Sequence, residues 1–142
     1  MYRHILAPID CSEDARRLVP DLARYISRMP SCQMTLVATV TPSPIPQINH
    51  VRQLHARETL HAMHNLFLNF GVYAFCRVAE GDDTVTATLE IAHDEEELFD
   101  LIVLGSYQTR TEADDFPCEG SFADKICRKS HLPVYILPAF RP

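Results

Sequence analysis

Apolar and polar positions along this chain switch repeatedly between two patterns. Residues 4–9, His4-Ile5-Leu6-Ala7-Pro8-Ile9, make a nearly unbroken apolar run that ends at Asp10. That is the pattern of a strand buried on both faces. Pro8 is tolerable there because the ladder is finishing. Ser12 reads as an N-cap, with Glu13 and Asp14 in the first helical turn. Ala15, Leu18, Val19, Leu22, Ile26 and Met29 then recur at helical spacing. Pro20 lies inside that pattern and predicts a kink or a restart. Gln33 to Val40 is a second strand. In Thr41-Pro42-Ser43-Pro44-Ile45-Pro46, three prolines in five residues cannot continue it and predict a stiff, extended loop. A long helix follows over about residues 48–69, with Val51, Leu54, Met63, Leu66, Phe67 and Phe70 as its apolar stripe. Gly71 is placed to cap it.

Val72 to Ala79 reads as a third strand. Gly81-Asp82-Asp83-Thr84 turns the chain into a third helix, with Val85, Leu89 and Ala92 inward. Asp94-Glu95-Glu96-Glu97 opposes the dipole at that helix's end, so the helix should stop early and the run should be a solvated face. Leu101 to Leu104 is the fourth strand, Ser121 to Ser130 a short helix, and Pro133 to Leu137 the fifth strand. Lys125, Arg128 and Lys129 give that last helix the favourable sign at its C-terminus. The alternation βαβαβαβαβ predicts one domain over residues 1–142, a three-layer α/β/α sandwich around a five-stranded parallel sheet. Ligands in such sheets bind beyond the carboxyl ends of the strands, where the strand order reverses. Asp10, Val40, Gly81 and Gly105 all fall at such ends.

Composition narrows the function more than the fold. The chain has 142 residues, 46% of them hydrophobic and 23% charged, with a net charge of −6. That charge argues against nucleic-acid backbone binding and against a polybasic membrane anchor. No apolar run approaches the roughly 20 residues of a membrane span. The opening residues lack a signal-peptide layout, which predicts a cytoplasmic protein. The five cysteines form no CxxC pair and are expected as reduced thiols, with Cys32 and Cys76 small core residues.

The chemistry lies in two glycine–serine pairs. Gly105-Ser106 leaves the fourth strand, and Gly120-Ser121 opens the last helix. Such glycines bring backbone N–H groups to a phosphate. Ser121-Phe122-Ala123-Asp124 also has the form of a capping box with Asp in place of Glu, so Ser121 serves a phosphate, the helix, or both. The segment between the pairs carries Gln108, Glu112, Asp114, Asp115 and Glu119, with Arg110 its one basic residue. Those acids repel a polyphosphate unless they face away or hold Mg²⁺. A monophosphate, a cyclic nucleotide or a nucleoside suffers less than ATP.

Other groups carry weaker signals. His61 and His64, three apart on the second helix, share a face, but no carboxylate or thiol completes a metal set at matching spacing, and helix histidines of the ordinary kind are expected. Cys11, beside the first helix, has the surroundings of a reactive thiol or of a simple turn residue, and Cys118 is a second oxidation target. His4 and His131 fall at strand starts, on the far rim. There is no GxSxG elbow, HExxH or P-loop with its Lys.

The motifs together resemble the universal stress protein family. His4-Ile5-Leu6-Ala7-Pro8-Ile9-Asp10-Cys11-Ser12 is similar to its first-strand signature, with Cys11 replacing a glycine. Asp100-Leu101-Ile102-Val103-Leu104-Gly105-Ser106 is similar to its fourth-strand signature. Gly120-Ser121 with His131-Leu132-Pro133-Val134-Tyr135-Ile136-Leu137 resembles its closing helix and strand. The resemblance implies the adenine nucleotide alpha hydrolase-like fold with strand order 3-2-1-4-5. It implies an adenine-nucleotide site, for ATP or AMP, in which Asp10 meets the ribose, the Val40 backbone meets adenine, and Gly105, Gly120 and Ser121 meet the phosphates.

The family's ATP-binding members carry Gly, two residues, Gly, nine residues, then Gly and Ser or Thr. Here Gln108 stands at the second glycine, and residues 109–119 make a spacer of eleven. The expectation is therefore a degenerate site in a nucleotide sensor, read out through the order of residues 106–119. The resemblance also implies a homodimer through the last strand. The rival readings are an interaction module for a protein such as a transporter or kinase, and a slow ATPase.

Overall fold

The computed structural model describes residues 2–10, 13–105 and 121–137. Ser12, Cys11 and Cys118 lie outside that description. Its elements are β1 (His4–Ile9), α1 (Glu13–Ser27), β2 (Gln33–Val40), α2 (Pro46–Leu68), β3 (Ala74–Glu80), α3 (Thr84–Ala92), β4 (Leu101–Gly105), α4 (Phe122–Lys129) and β5 (Val134–Leu137). All four strand pairings are parallel, and the sheet order is β3-β2-β1-β4-β5. This is the predicted three-layer arrangement.

Alternation within the strands divides the core. Ile5, Ala7 and Ile9 of β1 pack with Leu18, Leu22, Leu60, Met63 and Phe67 from α1 and α2. Leu6 and Val37 turn to the other face, where Val85, Ile91, Ala123 and Ile126 from α3 and α4 cover them. Both faces of β1, β2 and β4 are buried, so those strands read as continuous apolar runs rather than alternating ones. Ile5, Leu6, Leu22, Met34, Leu36, Phe67, Ile102 and Leu104 have no accessible surface.

Several local expectations change. α1 runs through Pro20 without restarting. α2 begins at Pro46, the position where a missing N–H costs nothing. Its buried stripe is Ala56, Leu60, Met63 and Phe67. Val51 and Leu54 are exposed because they lie roughly 150° round the helix from that seam. Phe70 is exposed because it belongs to the turn after the helix.

That turn explains why β3 starts at Ala74 rather than Val72. The Val72 N–H donates to Phe67 O at 3.0 Å, and the Gly71 N–H donates to Leu68 O at 2.9 Å. Gly71 sits at φ +74°. The two bonds satisfy α2's last carbonyls in a Schellman arrangement, which needs a left-handed residue where Gly71 stands. Val72 and Tyr73 are used to leave it. Leu89 on α3 is half-buried rather than fully inward, and the inner face is Val85, Ala87, Thr88, Ile91 and Ala92.

The acidic run is only partly a solvated face. The Asp94 carboxylate accepts from the Glu96 N–H at 2.9 Å, and Glu97 pairs with Arg77 of β3 at 2.7 Å. The Glu97 carbonyl accepts from His4 Nδ1–H at 2.7 Å. With Nδ1 as the donor, Nε2 of a neutral His4 ring accepts from the Thr35 hydroxyl at 2.9 Å. Asp100 closes the same rim by accepting from the Arg3 and His4 N–H groups at 2.8 and 3.1 Å. Of the two expected core thiols, Cys32 is half-buried against the α1/α2 side, whereas Cys76 is exposed on edge strand β3. Cys76, exposed as a residue, turns its sulfur toward Leu60 O at 3.7 Å, and burial of the sulfur raises the pKa of both thiols.

His93 ends α3 and stacks on His131, with ring centroids 4.4 Å apart and planes 12° apart. The His131 backbone N–H donates to His93 Nε2 at 3.1 Å, which requires that nitrogen to be unprotonated. Burial, then the neighbouring His131, lower the His93 pKa from its ordinary 6.5. The folded chain thus prefers neutral His93. Its contribution to stability is complete above the unfolded value of about 6.5 and is lost as pH falls through the depressed folded value. Urea unfolding of wild type and His93→Gln between pH 5 and 8 should show a wild-type advantage at pH 8 that shrinks toward pH 5. A constant difference across that range would disprove the linkage.

Candidate functional site

The sheet places the predicted residues side by side. β1 pairs β2 with Ile9 opposite Ala38, so Val40 stands two residues further along β2. β1 pairs β4 with Leu6 opposite Ile102, and continuing that register sets Gly105 level with Ile9. Asp10 is the next residue of β1. Gly105, Asp10 and Val40 therefore end three adjacent strands, each about 4.8 Å from the next. The chain leaves β1 toward β2 on one side and returns to β4 on the other, so strand order reverses between β1 and β4. Asp10 and Gly105 flank that reversal point, where open α/β sheets leave a crevice.

Each residue reaches its place for a local reason. Asp10 is exposed where the apolar run of β1 stops. The Val40 side chain is buried, and its carbonyl accepts from the Gly81 N–H at 3.1 Å, which ties the β2 and β3 ends together. Gly81 itself approaches α3 closely: a Cβ there would stand 3.0 Å from Ala87 Cβ. Asp83 then caps α3 by accepting from the Val85 N–H at 3.0 Å and the Thr86 hydroxyl at 2.8 Å. Those two bonds, the Thr86 one first, hold its carboxyl below the usual pKa. Gly105 is buried as the last residue of β4 and pairs with Leu137 of β5.

The proline loop beyond Val40 is pinned to α2. Ser43 and Asn49 exchange two hydrogen bonds, Ser43 N–H to Asn49 Oδ1 and Asn49 Nδ2–H to Ser43 O. Arg52 Nη1 donates to Thr41 O at 2.7 Å. Sequence reasoning predicted a stiff loop but missed this clasp. An Asn in the first turn of a helix, near a Ser-Pro segment, is the signal that could have revealed it.

Ser121 is only 3% exposed and is the N-cap of α4. Its Oγ accepts from the Asp124 N–H at 3.1 Å. The hydroxyl hydrogen remains available to an acceptor. The Asp124 carboxylate also accepts from Arg128 Nε at 2.9 Å. Gly120, Ser106, Gln108, Arg110, Glu112, Asp114, Asp115 and Glu119 lie outside the described residues, and so does the switch expected of residues 106–119.

Among the described residues, no group of three or more His, Cys, Asp or Glu side chains is arranged to hold a metal ion. His64 gives its Nδ1–H to Ala74 O at 2.7 Å and packs edge-on against Tyr73. It is thus a half-buried partner of the β3 backbone. Among the described residues, no helix is long and apolar enough to cross a membrane.

The profile of the universal stress protein family matches residues 1–138, and the chain belongs to that family. No curated protein matches the chain. Among solved structures, the fold is shared with a universal stress protein in complex with cAMP, at 19% identity and TM-score 0.77, covering 98% of this chain and 99% of that one. It is shared with the Archaeoglobus fulgidus universal stress protein in complex with dAMP, at 17% identity and TM-score 0.67, covering 96% and 97%. An Arabidopsis thaliana family protein with AMP bound matches at 11% identity and TM-score 0.62, covering 97% and 92%.

The cap gives a direct test of the rim's construction. Ser121→Ala should lower stability by about 1 kcal/mol, and Ser121→Asp should retain most of it. Urea denaturation of the three proteins measures both. Equal losses in the two variants would show that the cap bond is not what Ser121 contributes.

Proposed function

We propose that this chain binds an adenine nucleotide at the β1/β4 reversal point and acts as a nucleotide-dependent sensor. The observation that carries the reading is the adjacency of Asp10, Val40 and Gly105 at three neighbouring strand ends. An adenosine moiety suits that span. In this reading the Asp10 carboxylate accepts from the ribose hydroxyls, and the Val40 backbone meets the adenine edge. Gly105, Gly120 and the Ser121 hydroxyl face the phosphate at the start of α4. The bound cAMP, dAMP and AMP of the structural relatives support the class of ligand. Each carries one phosphate. That agrees with the acids of residues 112–119, which penalise a triphosphate more than a monophosphate.

The sensor works as a homodimer in this reading, in the cytoplasm. β5 is one edge of the sheet and shows Tyr135 and Ile136 at its surface. An edge of that kind is best covered by a second copy. Stacking of Tyr135 on Tyr25, with centroids 5.1 Å apart, holds that surface in a fixed shape.

Calorimetry with AMP, cAMP, ADP and ATP, with and without Mg²⁺, tests the reading. Monophosphates should bind, and ATP should bind more weakly unless Mg²⁺ is present. Asp10→Ala should weaken AMP by at least about tenfold, or 1.4 kcal/mol. Absence of binding by all four nucleotides would sink the proposal, as would full affinity in Asp10→Ala.

A further inference from the structure

The opposite edge of the sheet carries a surface that the nucleotide reading does not use. A groove of about 570 Å³ runs between α2 and β3, lined by Arg57, Leu60, His61, His64, Tyr73, Ala74, Phe75, Cys76 and Val78. Among the described residues, β3 has a strand neighbour on one side only. The Gly81 N–H reaches Val40 O across the β2–β3 seam, so odd-numbered residues of β3 turn their peptide groups toward β2. Even-numbered residues turn theirs outward, along the groove. Ala74 agrees, because its carbonyl accepts from His64 on α2. Beyond it, Cys76 and Val78 present N–H and C=O groups to an edge with no further strand among the described residues.

Natural proteins usually blunt such an edge with charge or cover it. Here its entrance is aromatic. Tyr73 is 61% exposed and Phe75 46%, and their rings meet edge-on with centroids 5.0 Å apart. The groove's ionisable lining is basic or neutral, with no carboxylate, in a chain of net charge −6. Arg57 makes no ion pair among the described residues. Of the carboxylates on or beside β3, Glu80 accepts from Gln53 and Glu97 pairs with Arg77.

We propose that this groove receives an acidic, extended peptide segment of a partner protein, added as a strand beside β3. Backbone bonds to Cys76 and Val78 supply the affinity, and alternate apolar side chains rest on Tyr73 and Phe75. Acidic side chains between them meet Arg57 and His61. A second copy of this chain is a poor occupant, because pairing β3 with β3 sets two Arg57-bearing walls against each other. The site is separate from the β1/β4 rim and does not depend on nucleotide binding.

The test uses a fluorescein-labelled nonapeptide alternating glutamate with valine or phenylalanine, titrated with the full chain by anisotropy. A lysine-for-glutamate peptide and a thymidine 12-mer serve as competitors for the assignment. The acidic peptide should bind saturably and weaken with salt. Arg57→Glu, on an exposed helix position, should weaken it at least about tenfold. Cys76→Pro removes an outward N–H that β2 does not use and should weaken it similarly. Urea unfolding midpoints close to that of the wild type would show that both variants are folded. Equal binding of the lysine peptide, insensitivity to Arg57→Glu, or binding of the oligonucleotide in place of the peptide would overturn the proposal.

Discussion

β1 has no face left for water. It pairs with β2 on one side and β4 on the other, and α1/α2 and α3/α4 close above and below it. From Ile5 to Ile9 the backbone must therefore be satisfied within the sheet, and the side chains must be apolar. Ile5, Leu6 and Ala7 meet that demand with no exposed surface. After that buried stretch the first polar residue is Asp10, just past the end of the strand. The same burial that fixes the register of β1 thus decides where a carboxylate can emerge, and it emerges at the reversal point of the sheet.

The helix ends do comparable work around that strand. Asp83 closes the start of α3, and Ser121 the start of α4, each taking up an N–H that the helix leaves unpaired. Gly71 closes α2 with a left-handed turn. At the amino rim, His4 and Asp100 gather the loose ends of β1, β2 and the segment before β4. One rim is consequently saturated with internal hydrogen bonds. The other exposes Asp10 and the strand ends around it.

The legible part of this fold was the part governed by burial. Gln33–Val40 is read correctly to the residue because both its faces are apolar and prolines end it. The helix stripe of α2 is misread because Val51 and Leu54 are apolar without facing the sheet. Periodicity alone cannot choose between two apolar sides of a long helix. Cys76 is misplaced for a related reason: a thiol in a strand pattern looks buried until the strand proves to be an edge. Asp10, Val40 and Gly105 were visible as strand ends, but their adjacency required the sheet order. The His93–His131 stack and the Ser43–Asn49 clasp depend on side chains brought together by chain reversal, and no local pattern announces the first of them.

The Ser43–Asn49 clasp has a kinetic and entropic meaning beyond holding a loop. Pro42, Pro44 and Pro46 restrict the segment already in the unfolded chain, and the paired bonds fix what the prolines leave free. A molecule arriving beside Val40 meets a wall whose conformational freedom was surrendered during folding. Little ordering entropy would remain to oppose association there.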